Sequence, residues 1–299
     1  MIKHFLSLAS LPVSEIDSLL ERSHYFSLHL RQPDKIQYLL QHKVIANAFY
    51  EPSTRTRCSF EIAAKRLGAH VLNFVPENSS VKKGETVYDT LKTLESLSTD
   101  AIVLRHADDQ VFEDLKNRFS IPLINAGAGK HEHPSQGLLD LYTLRQEFKR
   151  LEGLKVVICG DIKHSRVAGS MMVAAEKYGI ELSLCGPTEL LPQVTSSKIK
   201  IRDFDEVLPE ADAVMLLRIQ LERHEALELN STTYRARYGM TNERAGKLKR
   251  SGIIMHPGPF NRGVEIDSDI VEHPQSRIFQ QMSNGVYTRM AVLERLIRG

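Results

Sequence analysis

The sequence predicts an α/β protein of two similar domains, each a parallel sheet flanked by helices, with an active site in the cleft between them. Three observations lead there. Short apolar segments alternate with helical stretches along the chain, as in a parallel sheet covered by helices. The alternation breaks at Gly153 and a second series begins. Six of the apolar segments run into cationic or polar clusters, and open α/β sheets bind ligands just beyond the carboxyl ends of their strands.

Ser14 to Leu30 carries apolar residues at helical spacing and reads as an amphipathic helix. Val44–Phe49 follows as a buried strand, and Cys58 to Gly68 as a helix with a glycine stop. Val71–Val75, Ala101–Leu104 and Ile121–Asn125 complete the strands of the first half. After Pro134 a helix starts at Gln136 and runs towards Phe148. The second series has strands at Lys155–Cys159, Glu181–Cys185, Ile199–Arg202, Ala213–Leu217 and Gly252–Met255. Gly285 to Ile297 places Val286, Met290, Leu293 and Leu296 at helical spacing and is expected to pack back on the first half. The domains expected are 1–133, joined by the helix 285–299, then a connecting helix over 134–150, then 151–284.

With 299 residues the chain is long enough for two such domains, and 42% hydrophobic with 25% charged residues describes a soluble globular protein. A net charge of +2 is too small for a nucleic-acid binder or a polybasic membrane surface, so any basic patch is local, as a small anionic substrate requires. Three cysteines, Cys58, Cys159 and Cys185, without C-x-x-C spacing suggest a reduced cytoplasmic protein. No signal peptide is read at Met1-Ile2-Lys3-His4-Phe5, and no apolar run reaches membrane-spanning length.

The most informative cluster is Ser53-Thr54-Arg55-Thr56-Arg57, where a buried strand feeds a helix. Unpaired N–H groups and the helix dipole attract anions there, Arg55 adds a bidentate fork, and Ser53, Thr54 and Thr56 add hydroxyls. A plain Ser/Thr cap is the bland alternative, but five such residues together favour a phosphate site. Lys82-Lys83 in a loop would, alone, be solvated. His131-Glu132-His133 lacks the helical spacing of H-E-x-x-H and has no companion ligands, so no metal is expected. Gly127-Ala128-Gly129-Lys130 fails as a P-loop, with Ile124 and His131 at the wrong places, and Gly160-Asp161-Ile162 lacks G-x-G-x-x-G. No nucleophile elbow appears, and no cysteine has a histidine nearby in sequence. Positioning and charge stabilisation, with no cofactor, is the chemistry these residues suit.

Together the clusters resemble the aspartate and ornithine carbamoyltransferases over nearly the whole chain. The marks are Ser53-Thr54-Arg55-Thr56-Arg57, Lys83-Gly84-Glu85, Arg105-His106, His133-Pro134-Ser135-Gln136 and His256-Pro257-Gly258-Pro259. The ornithine branch is expected to carry a cysteine in each H-P motif region; H-P-S-Q and H-P-G-P look like the aspartate branch. Arg166 and Arg218 match that branch's aspartate-binding arginines, and a dicarboxylate suits two guanidinium forks.

The resemblance implies that carbamoyl phosphate binds first, held by Ser53, Thr54, Arg55, Thr56, Arg105 and Lys83. His133, Thr56 and Arg105 would polarise its carbonyl, and Gln136 with the backbone near Pro257, Gly258 and Pro259 would hold its amino group. L-Aspartate would meet Arg166, Arg218, Lys83 and Gln220. It also implies a homotrimer in which the neighbouring chain lends Lys83 with Ser79 or Ser80, Ser80 being the serine assigned to the phosphate. A dihydroorotase or a regulatory chain is an admissible partner. Phe260-Asn261-Arg262-Gly263-Val264-Glu265 departs from relatives with zinc-bearing regulatory chains and looks more like members that work alone or beside a dihydroorotase.

Overall fold

The computed structural model describes residues 2–129, 132–219 and 230–299. The chain forms two compact units, one reaching Tyr142 and including Met282–Gly299, the other spanning Thr143–Gln281. In the first unit, β1 (Val44–Phe49), β2 (His70–Phe74), β3 (Ala101–His106) and β4 (Leu123–Ala128) form a parallel sheet in the order β2-β1-β3-β4. Its helices are α1 (Val13–His29), α2 (Thr54–Arg66), α3 (Val87–Ser96) and α4 (Val111–Leu115). Ala46, Ala48, Ile102 and Leu104 pack with Leu91 and Leu94 of α3 and Phe112 and Leu115 of α4. The opposite face is also covered, since Ile45, Phe49 and Val103 are buried as well. This two-sided burial explains why β1, apart from Asn47, and β3 as far as Leu104 read as apolar runs. β2, on the sheet edge, is largely exposed. At the other edge the N-terminal segment is pinned to β4, with Phe5 N donating to Leu123 O (2.9 Å) and Asn125 N to Phe5 O (2.8 Å).

The helix α5 (Pro134–Phe148) begins in the first unit and ends in the second. There β5 (Lys155–Cys159), β6 (Glu181–Cys185), β7 (Ile199–Ile201), β8 (Ala213–Leu216) and β9 (Ile253–Met255) form a parallel sheet ordered β7-β6-β5-β8-β9. The described helices are α6 (Arg166–Tyr178), α7 (Phe204–Val207), α8 (Ser231–Tyr238) and α9 (Asn242–Lys247). Gly160, just past β5, has φ +140°, and a Cβ there would meet Leu217 O at 2.7 Å. Only glycine lets the strand ends approach so closely. The last helix, α10 (Ile278–Arg298), rejoins the first unit, where Arg22–Glu294 (2.5 Å) and Arg295–Glu15 (2.6 Å) tie it to α1.

The fold class is the one expected, and the differences lie at element ends. β4 starts at Leu123 because Pro122 has no N–H; its carbonyl instead accepts from Ile102 N at 3.0 Å. α2 starts at Thr54, four residues before the apolar periodicity becomes visible. α10 starts seven residues before the expected Gly285, which lies inside the helix. The expected loop around Lys83 contains a short 3₁₀ turn, Ser80–Lys83.

Candidate active site

Ser53 is the N-cap of α2 in an extended conformation, yet its side chain makes no capping hydrogen bond. The first N–H groups of that helix therefore lack the usual internal acceptor, and such a start is a ready anion site. Thr54 and Arg55 are exposed there, whereas Thr56 is buried. Thr56 Oγ1 lies 3.3 Å from His133 Nε2, so the start of α2 and the approach to α5 meet at this pair. Arg105 ends β3 beside β1; its Nη1 donates to Ala126 O (3.3 Å) and its Nε lies 3.4 Å from Glu51 Oε2. The next residue, His106, is neutral at pH 7, because burial lowers its pKa, and its Nδ1 accepts from Asp108 N at 3.0 Å.

The start of α5 is a buried polar cluster. Ser135 Oγ lies 3.4 Å from His133 Nδ1, and Gln136 Nε2 donates to Asp140 Oδ1 at 3.0 Å. Only the amide's NH₂ can donate to a carboxylate, so this bond fixes which end of Gln136 is which. Oε1 is then an acceptor suited to an –NH₂ group. His133 therefore supplies a ring nitrogen and Gln136 a carbonyl oxygen from one helix start, the pair needed to bind a primary amide-like group.

Lys83 stands apart. It is exposed at the end of its turn, and among the described residues no hydrogen bond joins it to Ser53–Thr56 or Arg105. In that turn the Ser79 hydroxyl donates to Pro76 O (2.8 Å) and accepts from Val81 N (3.3 Å). Ser80 is exposed, with its hydroxyl outside these bonds.

In the second unit Arg166 is the first residue of α6, whose cap is formed by Ser165 accepting from Ala168 N at 3.3 Å. Arg218 follows β8 by two residues, and both arginines are half-buried. Gln220 lies outside the described residues, as does His131. The segment after β9 is braced from several sides. His256 N donates to Gln281 Oε1 (2.8 Å), His256 Nδ1 accepts from Gly258 N (2.8 Å), and Nε2 lies 3.4 Å from Glu265 Oε1. Because Nδ1 is an acceptor, the proton of neutral His256 sits on Nε2 and points to the carboxylate. The same carboxylate accepts from Asn261 N at 2.5 Å, and Asn261 Nδ2 donates to Ile219 O at 3.1 Å. Pro257, Gly258 and Pro259 thus belong to a segment linked directly to the one carrying Arg218; the Gly258–Pro259 peptide is cis.

Sequence reading missed Glu51, Asp140, Asn261, Glu265 and Arg289. For Asp140 and Arg289 a signal existed, since each is a charge set within an apolar helical stripe. The thiols offer no buried nucleophile: burial pushes Cys185 up to about 12 and raises Cys159 well above the ordinary range. Among the described residues no group of three or more His, Cys, Asp or Glu side chains is arranged to hold a metal. No described helix is long and apolar enough to cross a membrane.

Fold and site define an α/β enzyme that gathers hydroxyl, guanidinium and imidazole groups at the ends of parallel strands. Comparison with known proteins makes this specific. The family model described as aspartate/ornithine carbamoyltransferase, carbamoyl-P binding domain, matches residues 3–146, and the Asp/Orn binding domain of the same family matches residues 152–296. An aspartate transcarbamoylase from Trypanosoma cruzi in complex with carbamoyl phosphate is 30% identical, with a TM-score of 0.90 over 99% of this chain and 96% of that one. The catalytic subunit of M. Jannaschii aspartate transcarbamoylase is 33% identical, with a TM-score of 0.88 over 99% of this chain and 98% of that one. The chain belongs to the aspartate/ornithine carbamoyltransferase family.

Proposed function

We infer that the protein transfers the carbamoyl group of carbamoyl phosphate to the α-amine of L-aspartate, giving N-carbamoyl-L-aspartate and phosphate. The observation that carries the reading is the Thr56–His133 pair at the uncapped start of α2, which sets carbonyl-polarising groups beside an anion site. The phosphate is held by Ser53, Thr54, Arg55, Thr56 and Arg105. The carbamoyl oxygen faces His133, Thr56 and Arg105, and the carbamoyl amino group meets Gln136 and the backbone of 257–259. Arg166 and Arg218 take the acceptor's two carboxylates, with Gln220 assisting. The likeness to Trypanosoma cruzi aspartate transcarbamoylase in complex with carbamoyl phosphate and aspartate, and with N-(phosphonacetyl)-L-aspartic acid, supports the choice of aspartate.

Carbamoyl phosphate binds first. The neutral amine then attacks the carbonyl carbon, the C–N bond forms, the C–O bond to phosphate breaks, and the departing phosphate accepts the amine proton. No covalent enzyme intermediate or metal takes part. Rate enhancement comes from alignment and from donors already aimed at the developing oxyanion. The engagement of Ser79 within its own turn supports Ser80 as the phosphate contact. The exposure of Lys83 supports a homotrimer in which it serves the neighbouring chain's site. The reaction belongs to de novo pyrimidine biosynthesis in the cytoplasm, with a dihydroorotase or regulatory chain as candidate partners. The test is phosphate release from carbamoyl phosphate with a panel of amines. Aspartate should be the preferred acceptor, and preference for ornithine or no turnover would overturn the reading.

A further inference from the structure

Behind His133 lies a charged side chain that none of these roles uses. Arg289, on α10, is buried, and its Nη2 donates to Ser135 Oγ at 3.5 Å. Its guanidinium carbon sits 5.1 Å from the centre of the Phe60 ring, a cation–π contact with α2. Gly285, one turn back on α10, leaves room for it: a Cβ there would stand 2.3 Å from Arg289 Nη1. Burial pushes the guanidinium down to about 9 while the Asp140 carboxylate opposes that, so Arg289 is still a cation at neutral pH.

The protons available around Ser135 give this arrangement a direction. A serine hydroxyl has one hydrogen, and an arginine can only donate. Arg289 therefore occupies a lone pair of Ser135 Oγ. The hydroxyl hydrogen is left for the other neighbour, His133 Nδ1 at 3.4 Å. The reverse arrangement, with Nδ1 protonated, would leave a buried hydroxyl hydrogen without an acceptor among the described residues, at a cost of about 1–3 kcal/mol. With Nδ1 accepting, the imidazole proton sits on Nε2, which faces Thr56 Oγ1.

We propose that Arg289 is a positioning residue that, through Ser135, holds His133 in the Nε2–H tautomer. This rests on the reading that His133 polarises the carbamoyl oxygen. That role needs a donor at Nε2, and a bare nitrogen there would repel the oxygen. Asp140 does the complementary task on the same helix turn: it engages the Gln136 amide nitrogen and leaves Oε1 for the amino group. The buried Arg289 and Asp140 charges thus dictate a donor at one position and an acceptor at the other, which is the order a carbamoyl group requires and an ester or acyl group does not.

The experiment is ¹⁵N NMR of the unliganded protein labelled at its histidine rings, with His133 assigned against His133→Asn. The wild type should show Nε2 protonated and Nδ1 bare. In Ser135→Ala the Nδ1–H form should become populated. Its kcat should fall roughly 10- to 100-fold, the range found when a partner that orients a metal-bound histidine is lost. KM for carbamoyl phosphate should change less than about threefold, because the phosphate contacts are untouched. Arg289→Met should behave alike, with partial recovery in Arg289→Lys; if Arg289→Met does not fold, Ser135→Ala carries the test. An Nδ1–H wild type, or a folded Ser135→Ala protein with an unchanged Nε2–H signal, would overturn the proposal. Because the tautomer is read without substrate, an inert protein with the Nε2–H form would remove the carbamoyl reading alone.

Discussion

Replacing Arg105 with alanine separates catalysis from folding. Arg105 meets Glu51 at 3.4 Å, a gross attraction of about 5 kcal/mol at an effective dielectric constant near 20. Little of that is net stability. The Glu51 side chain is 29% exposed and within reach of water, so the loss of Arg105 should resemble the loss of a surface pair, about 1 kcal/mol. For a unit of this size that lowers Tm by roughly 2–4 °C. The bond from Arg105 Nη1 to Ala126 O is long at 3.3 Å and adds little. If Arg105 also stabilises charge on the reacting group, its loss costs about 3–4 kcal/mol of barrier, or 10²–10³ in kcat. Turnover should therefore collapse while the melting curve barely moves. Arg105→Lys should recover only part, because an ammonium cannot reproduce the planar fork. The assay is phosphate release at saturating carbamoyl phosphate and aspartate beside a thermal melt. A near-normal kcat in the folded variant, or unfolding severe enough to explain the loss, would remove Arg105 from the catalytic step.

Arg218→Ala should raise KM for aspartate strongly and leave KM for carbamoyl phosphate nearly unchanged; an unaltered aspartate KM would dismiss Arg218 as an acceptor contact. Arg105→Ala and Lys83→Ala proteins, each inactive alone, should regain activity when dissociated and remixed, with about a quarter of the sites in a randomly assembled symmetric trimer free of both lesions. No recovery despite verified subunit exchange would count against a shared site. Stability in acid should depend on Asp205, held down to about 2 chiefly by its hydrogen bond to Arg244. A depressed carboxylate stabilises the fold above its ordinary value of 3.8 and loses that contribution as pH falls through the folded value of about 2. Asp205→Asn should therefore flatten the pH dependence of Tm in that window, as differential scanning calorimetry would show.

The parallel strands were legible because both faces of β1, β3 and β4 are buried, leaving an apolar run at Ala101–Leu104 and one at Val44–Phe49 interrupted only by the buried Asn47. The polar cluster at the start of α2 was legible for a related reason: Ser53 to Thr56 follow an apolar strand, so their polarity stands out, although the helical spacing itself shows only from Cys58. Helix ends were harder. Gly285 reads as a boundary, yet it lies inside α10 because Arg289 needs the space its side chain would take, a reason that exists only in three dimensions. Glu265 and Asn261 were equally hidden. Their partners, His256 and Ile219, are fixed by chain reversals rather than by any periodicity. Arg289 and Asp140 left a trace, as charges in apolar stripes; Asp140 meets Gln136 one turn away on its own helix, but Arg289 reaches Ser135 only through the return of α10 across 154 positions.

The return of α10 to the first unit also sets an order of assembly. The second unit is one continuous stretch of chain, whereas the first is finished by residues 282–299, whose Glu294 and Arg295 grip Arg22 and Glu15 across more than 270 positions. On the ribosome, then, the stretch made first is completed last. Until α10 emerges, the faces that will receive Met290 and Leu293 stand open, and Arg289 has not yet reached Ser135. The nascent chain is consequently unable to order its His133 cluster before α10 emerges, and deletion of residues 282–299 should leave a second unit that folds and a first unit that does not.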